Sequence, residues 1–192
     1  MRLNIAMTKA ALRQSVRLRL AMMTPALRQA ESFQVCNRAR AQTLWQEAES
    51  LLLYAPMQGE VDIWPLVNEA VAEGKIVALP KFVPSARNYV ASQIHDLDSD
   101  LVLGSFGIRE PADHCSQIPL NQLDFILVPG IAFDLHGRRL GRGKGYYDQL
   151  LKDVRGHSCG VAFDQQIEPV IPVEPHDTLV NCILTPTRWL GL

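Results

Sequence analysis

Between residues 125 and 151 three patterns follow one another: an apolar run, Phe125-Ile126-Leu127-Val128; a basic, glycine-rich stretch; and a helix-like repeat carrying Tyr147, Leu150 and Leu151. That order predicts a buried strand delivering a loop to a helix N-terminus, a place where phosphates bind well. Gly141, Gly143 and Gly145 alternate with Arg142 and Lys144. Backbone N–H groups can therefore approach an anion while a guanidinium and an ammonium close over it. Asp148 follows as a metal-ligand candidate. The same residues are also compatible with a tight turn that has solvated basic tips, and composition leaves both readings open.

Two familiar nucleotide loops do not fit. A Walker A loop needs four residues between its first glycine and the Gly-Lys pair; here Gly137 and Gly143 are too far apart, and Gly145 stands where Ser or Thr should be. A dinucleotide fingerprint would end in glycine, but Gly143-x-Gly145 is followed two residues later by Asp148.

The rest of the chain alternates helix and strand signals. Thr8 is read as the cap of a helix to about Met23, with Leu12, Val16 and Leu20 on one face. Thr24-Pro25 opens a second helix to about Glu47, and the two make an N-terminal helical arm over about 8–47. Leu51 to Ala55 read as a strand, Ile63 to Ala72 as a helix ended by Gly74, and Ile76 to Leu79 as a short strand. Residues 80–122 are irregular, with a strand signal only near Tyr89 to Ile94. A helix to about Val154, then Cys159 to Phe163 and Cys182 to Leu184, complete the pattern. Short apolar strands between helices predict a three-layer α/β/α fold with a largely parallel sheet, its ligands at the carboxyl ends of strands. The signature loop and Glu60 both fall at such ends.

With 192 residues, 47% of them hydrophobic, the chain can bury one core, and a single domain is expected. Nineteen basic and twenty acidic residues give a net charge of -1, so no general field favours nucleic acid or an anionic membrane. Cys36, Cys115, Cys159 and Cys182 lack Cys-x-x-Cys spacing and are expected to be reduced and structural. No apolar stretch approaches the roughly 20 residues a membrane span needs, and a cytoplasmic monomer is expected. Lys9, Arg13 and Arg17 share a helix face, either as a solvated stripe or as part of a site. Asp134 is read as supporting a turn.

From Pro129 to Asp148 the sequence fits Pro-Gly-x-x-Phe-Asp-x-x-Gly-x-Arg-Leu-Gly-x-Gly-x-Gly-Tyr-Tyr-Asp at every defined position. It thus resembles the 5-formyltetrahydrofolate cyclo-ligases, or methenyltetrahydrofolate synthetases, whose fold is related to ribose-phosphate isomerases and CoA transferases. The resemblance extends to the basic N-terminal helix, the Met57-Gln58-Gly59-Glu60 segment and the stretch from Gly160 to Pro186. It implies ATP-dependent closure of 5-formyltetrahydrofolate to 5,10-methenyltetrahydrofolate through a phosphorylated formyl group. ATP contacts carry over to Lys9, Ala10, Ala11, Leu12 and Arg13, and to Arg139, Leu140, Gly141, Arg142, Gly143, Lys144, Gly145, Tyr146 and Tyr147. Arg17 has no match and stays a surface-charge candidate. Folate contacts carry over to Ala55, Met57, Glu60 and the loop from Arg142 to Tyr146, with Glu60 accepting N–H donors of the pterin. Asp148 would hold Mg2+, Arg142 and Lys144 would stabilise transferring charge, and Tyr146 would orient the formyl group. The folate is expected with or without a polyglutamate tail. Two other classes stay in view, a sugar-phosphate isomerase of the same architecture and a non-catalytic phosphate-sensing module.

Overall fold

Successive residues of the central strands point to opposite faces, and both faces are apolar. In the computed structural model, which describes residues 2–104 and 107–192, Leu51 and Leu53 join one hydrophobic cluster and Leu52 the other. Phe125 and Leu127 alternate with Ile126 and Val128 in the same way. Strands buried on both faces need helices on both sides, and the chain supplies them.

In chain order the elements are α1 (Arg2–Ala21), α2 (Pro25–Arg40), α3 (Thr43–Glu47), β1 (Ser50–Leu52), α4 (Trp64–Ala72), β2 (Ile76–Val83) and β3 (Asn88–Ile94). There follow β4 (Leu101–Leu103), β5 (Arg109–Pro111), β6 (Gln117–Ile118), β7 (Phe125–Pro129), β8 (Ala132–Asp134) and β9 (Arg139–Leu140). The last are α5 (Tyr146–Asp153), β10 (His157–Val161), β11 (Ile167–Glu168), β12 (Cys182–Leu184) and β13 (Trp189–Gly191). Eight strands form one sheet in the order β13-β12-β10-β7-β1-β2-β3-β6. Its centre, β12 to β2, is parallel, while β13, β3 and β6 pair antiparallel at the edges. Val16 and Leu20 of α1, Val35 and Ala39 of α2 and Leu66 and Val67 of α4 pack on one face; Leu150 and Leu151 of α5 pack on the other. The three layers expected from sequence are present.

Several boundaries differ from the sequence reading. Helix α1 runs through Thr8 instead of starting there, since Met1 to Met7 contain neither glycine nor proline to stop it. Thr24 does cap α2, its hydroxyl accepting from Leu27 N at 3.2 Å, with Pro25 in the first turn, an arrangement worth about 1 kcal/mol. That helix ends at Arg40, because Gln42 turns extended and donates its side-chain amide to Arg38 O at 2.9 Å, satisfying a terminal carbonyl. Strand β1 stops at Leu52, although Leu53 N still donates to Ala78 O of β2 at 2.9 Å. Strand β2 continues to Val83, because β3 offers it an antiparallel partner from Val77 to Val83.

The largest difference lies before the glycine loop. Strand β7 does not deliver the loop directly: the β8–β9 hairpin, paired to β11, intervenes. Asp134 organises that hairpin as expected of a turn acid. Fully buried, it accepts from His136 N, Arg138 N and Ile171 N at 2.9 to 3.1 Å. Phe133 beside it fills space that Gly130 and Gly160 leave by lacking a Cβ. All four cysteines are free, and burial pushes the Cys36 thiol up to about 11.

Candidate active site

The carboxyl ends of β1 and β7 and the middle of β2, at Pro80, open into a cavity of about 310 Å3. Eleven of the residues singled out by sequence line it: Ala55, Met57 and Glu60 after β1; Arg139, Gly141, Arg142, Lys144 and Gly145; and Tyr146, Tyr147 and Asp148 at the head of α5. Gly145 takes φ +70° at the N-cap of α5 and Gly143 takes φ +101°, left-handed conformations that suit glycine. No side chain caps α5. Its first amides therefore point their partial positive charge at the loop.

Arg139 is buried and donates from Nη2 to Asp148 Oδ1 at 2.8 Å, and its guanidinium lies 5.5 Å from the Tyr147 ring centroid. Burial holds the Tyr147 hydroxyl neutral by raising its pKa well above the ordinary tyrosine value. Arg142 donates from Nη2 to Glu60 Oε1 at 2.8 Å, and the other Glu60 oxygen accepts from Met57 N at 2.9 Å. Lys144 is exposed at the rim.

From the first helix, Arg13 donates from Nε to Gly141 O at 2.8 Å, which ties α1 to the loop. Burial lowers the Arg13 pKa, as does the neighbouring charge of Arg17, yet a guanidinium stays charged. Lys9 is buried against Asp177 at 2.7 Å and Glu174 at 3.0 Å. Burial alone would lower its pKa; the hydrogen bonds and charges of the two acids outweigh this and raise it. The same segment touches the site through Thr178, whose hydroxyl donates to Asp148 O at 3.2 Å. Arg17 is exposed, as a surface charge would be.

Some of the expected contacts lie off the cavity wall. Ala10 and Ala11 are exposed, Leu12 packs against the core and Leu140 is buried within it, so these side chains do not face the cavity. Gly143 instead faces the Arg13 guanidinium, about 3.6 Å from where a Cβ would stand. The sequence reading missed one wall altogether: Tyr54, Pro80, Tyr89, Ile108, Arg109 and Glu110. Tyr89, Phe82 and Tyr146 form an aromatic cluster with centroids 5.2 to 5.4 Å apart. Burial and then the Glu110 charge push the Tyr89 hydroxyl up to about 12. The available signal was an acid, Glu110, set between Ile108 and Pro111-Ala112.

Fold and cavity define a class: a three-layer α/β protein with a glycine-rich cationic loop and acid-bearing walls at the ends of its parallel strands. The sequence profile of the 5-formyltetrahydrofolate cyclo-ligase family matches residues 5–186. The 5-formyltetrahydrofolate cyclo-ligase of Escherichia coli K12 is 32% identical over 178 residues, covering 90% of this chain and 97% of its own. The mouse protein of that name is 29% identical, covering 92% of both chains. An NMR structure of the Aquifex aeolicus 5,10-methenyltetrahydrofolate synthetase superposes with a TM-score of 0.86 at 35% identity, covering 96% of this chain and 92% of that one. A Mycoplasma pneumoniae synthetase shares the fold, with a TM-score of 0.74 at 19% identity, covering 93% and 98%. The chain belongs to the 5-formyltetrahydrofolate cyclo-ligase family and is an enzyme of it. Among the described residues no helix is long and apolar enough to cross a membrane.

Proposed function

We propose that the protein closes 5-formyltetrahydrofolate to 5,10-methenyltetrahydrofolate at the expense of ATP, acting as a cytoplasmic monomer on the folate with or without a polyglutamate tail. The observation that carries this is the convergence, in one cavity, of the Gly141–Gly145 loop, the acid Asp148 and the acid Glu60. Closure requires the formyl oxygen to leave, and oxide or hydroxide leaves poorly. Transfer of the ATP γ-phosphoryl group to that oxygen converts it into phosphate, and N10 then attacks the formyl carbon as phosphate departs. Such a reaction is catalysed mainly by alignment and charge stabilisation.

Each part of the cavity suits one of these tasks. Amides of the loop and of the α5 N-terminus, with Arg13 held at Gly141 O, suit the triphosphate. Arg142 and Lys144 oppose charge on the phosphoryl group in transfer. The Met57 to Glu60 segment suits the pterin, with Glu60 accepting its N–H donors once Arg142 turns to phosphate. Tyr146, packed on Phe82 and Tyr89, orients the formyl group.

Asp148 fits Mg2+. It is an oxygen donor at the cavity wall, and its bond to Arg139 through Oδ1 leaves Oδ2 for the ion. One carboxylate plus phosphate oxygens is an ordinary Mg2+ environment. When bound, the ion neutralises phosphate charge, and the residues' own task is to hold it near the loop.

Purified protein given Mg-ATP and 5-formyltetrahydrofolate should form the methenyl chromophore and phosphate in equal amounts. Asp148→Ala should lower that rate about a hundred- to a thousandfold. Chromophore formed at full rate without ATP, or ATP hydrolysis indifferent to folate, would refute the proposal.

A further inference from the structure

Three acids line the cavity, Glu60, Glu110 and Asp148, and they differ in what their oxygens hold. Both oxygens of Glu60 are hydrogen-bonded, to Arg142 and to Met57 N. Asp148 is held by Arg139. Glu110, carried to the wall by the β4–β5 ribbon, is only 7% exposed. Its Oε2 accepts from Phe82 N at 3.3 Å, while its Oε1 is buried with no hydrogen-bond partner among the described residues.

A buried carboxylate oxygen without a partner costs on the order of 1–3 kcal/mol or more. This one is also positioned closely: a Cβ on Gly104 would stand 2.5 Å from its carboxyl carbon, so the neighbouring backbone can approach only as glycine. Nearby charge does little to relieve it. The Lys81 ammonium, on β2, is committed to Ala112 O at 2.9 Å and Asp113 at 2.7 Å. Tyr89, on β3, presents a neutral phenol, and Arg109 turns its guanidinium over Trp64, 5.1 Å from the ring centroid. Burial therefore prevails over the hydrogen bond from Phe82 and the charge of Lys81, and raises the pKa of the carboxyl. A carboxylate so placed is a stronger base than one in water.

The reaction needs a base. The N10 of 5-formyltetrahydrofolate bears a hydrogen that 5,10-methenyltetrahydrofolate lacks. We propose that Glu110 is the general base of ring closure, its carboxylate taking the proton from N10. The N10 lone pair bonds to the formyl carbon and the N–H electrons remain on nitrogen. The C–O bond breaks with its pair leaving on phosphate, and the proton ends on Glu110. This rests on the cyclisation reading above.

The test is Glu110→Gln, compared with Glu110→Asp and the unmodified enzyme, each assayed across pH with Mg-ATP and 5-formyltetrahydrofolate. General-base loss should lower kcat about a hundred- to ten-thousandfold with folate KM little changed. In the unmodified enzyme kcat should rise with pH as the carboxyl deprotonates, at a pH above that of an ordinary carboxylate; Glu110→Gln should lose that limb and Glu110→Asp keep it. In rapid quench, Glu110→Gln should release ADP in a burst ahead of the chromophore, whereas the unmodified enzyme forms the two in step. If Glu110→Gln instead raises folate KM while keeping kcat and the pH limb, Glu110 only binds the ring and the proposal is overturned. An unmodified enzyme that makes no ATP-dependent chromophore would sink the cyclisation reading itself.

Discussion

Two arginine–carboxylate pairs stand within one cavity, both with N–O distances of 2.8 Å, and they are built for different purposes. Arg139–Asp148 is buried, the side chains 4% and 14% exposed. Arg142–Glu60 is open on its cationic side, at 41% and 10%. Arg139 also donates to Pro129 O at 3.4 Å and stacks on Tyr147, so it fastens the head of α5 to the end of β7. Arg142 comes from the glycine loop and, among the described residues, has no second anchor of this kind. Desolvated ions are costly to part, whereas exposed pairs contribute about 0–1 kcal/mol. Equal length therefore conceals unequal permanence: the first pair is scaffold, the second a solvent-reached pair that costs little to part.

The largest effect should come from breaking the scaffold pair. Arg139→Met leaves Asp148 near the cavity without its partner, and removal of one member of a buried pair costs about 3–5 kcal/mol. Urea denaturation at neutral pH should show that loss; a change below about 1 kcal/mol would erase the distinction between the two pairs. Glu60→Gln should act differently. Because its arginine is exposed, stability should move by less than about 1 kcal/mol. If the carboxylate serves the pterin, however, losing a charged hydrogen bond worth about 1.5–3 kcal/mol should raise folate KM roughly ten- to a hundredfold. Steady-state rates at saturating ATP would measure it, and an unchanged KM would remove Glu60 from the folate site.

What sequence could show about these pairs follows the reach of local pattern. The loop, the cap at Thr24 and the turn acid Asp134 depend on neighbours a few residues away, and each is found where the pattern put it. The double-faced strands declared the parallel centre of the sheet in the same way. Partnerships across the chain were illegible: Glu60 and Arg142 are 82 residues apart, and Lys9 meets Glu174 across 165. Their meeting is a product of topology, which spacing does not encode. Glu110 escaped for a related reason, since the short β4–β5 ribbon lies in a stretch whose Pro and Gly suggested only irregular chain. A helix start was misplaced at Thr8 because a capping residue is permissive: it ends nothing when good helix formers precede it.

The smallest effect is the most diagnostic of the open pair. If Arg142 and Glu60 release each other when ligands enter, their coupling in the free enzyme must be weak and screened. A double-mutant cycle on Arg142→Met and Glu60→Gln, read by urea denaturation, should give a coupling of about 0.5 kcal/mol at low salt. Raising ionic strength toward 1 M, where the screening length falls to about 3 Å, should remove most of it. The same cycle on Arg139 and Asp148 should keep more of its larger coupling, because that pair is largely buried. A coupling at Arg142–Glu60 as large and salt-insensitive as at Arg139–Asp148 would mean that the open pair is scaffold too, and Glu60 would then be unable to turn from arginine to pterin at a cost substrate binding can meet.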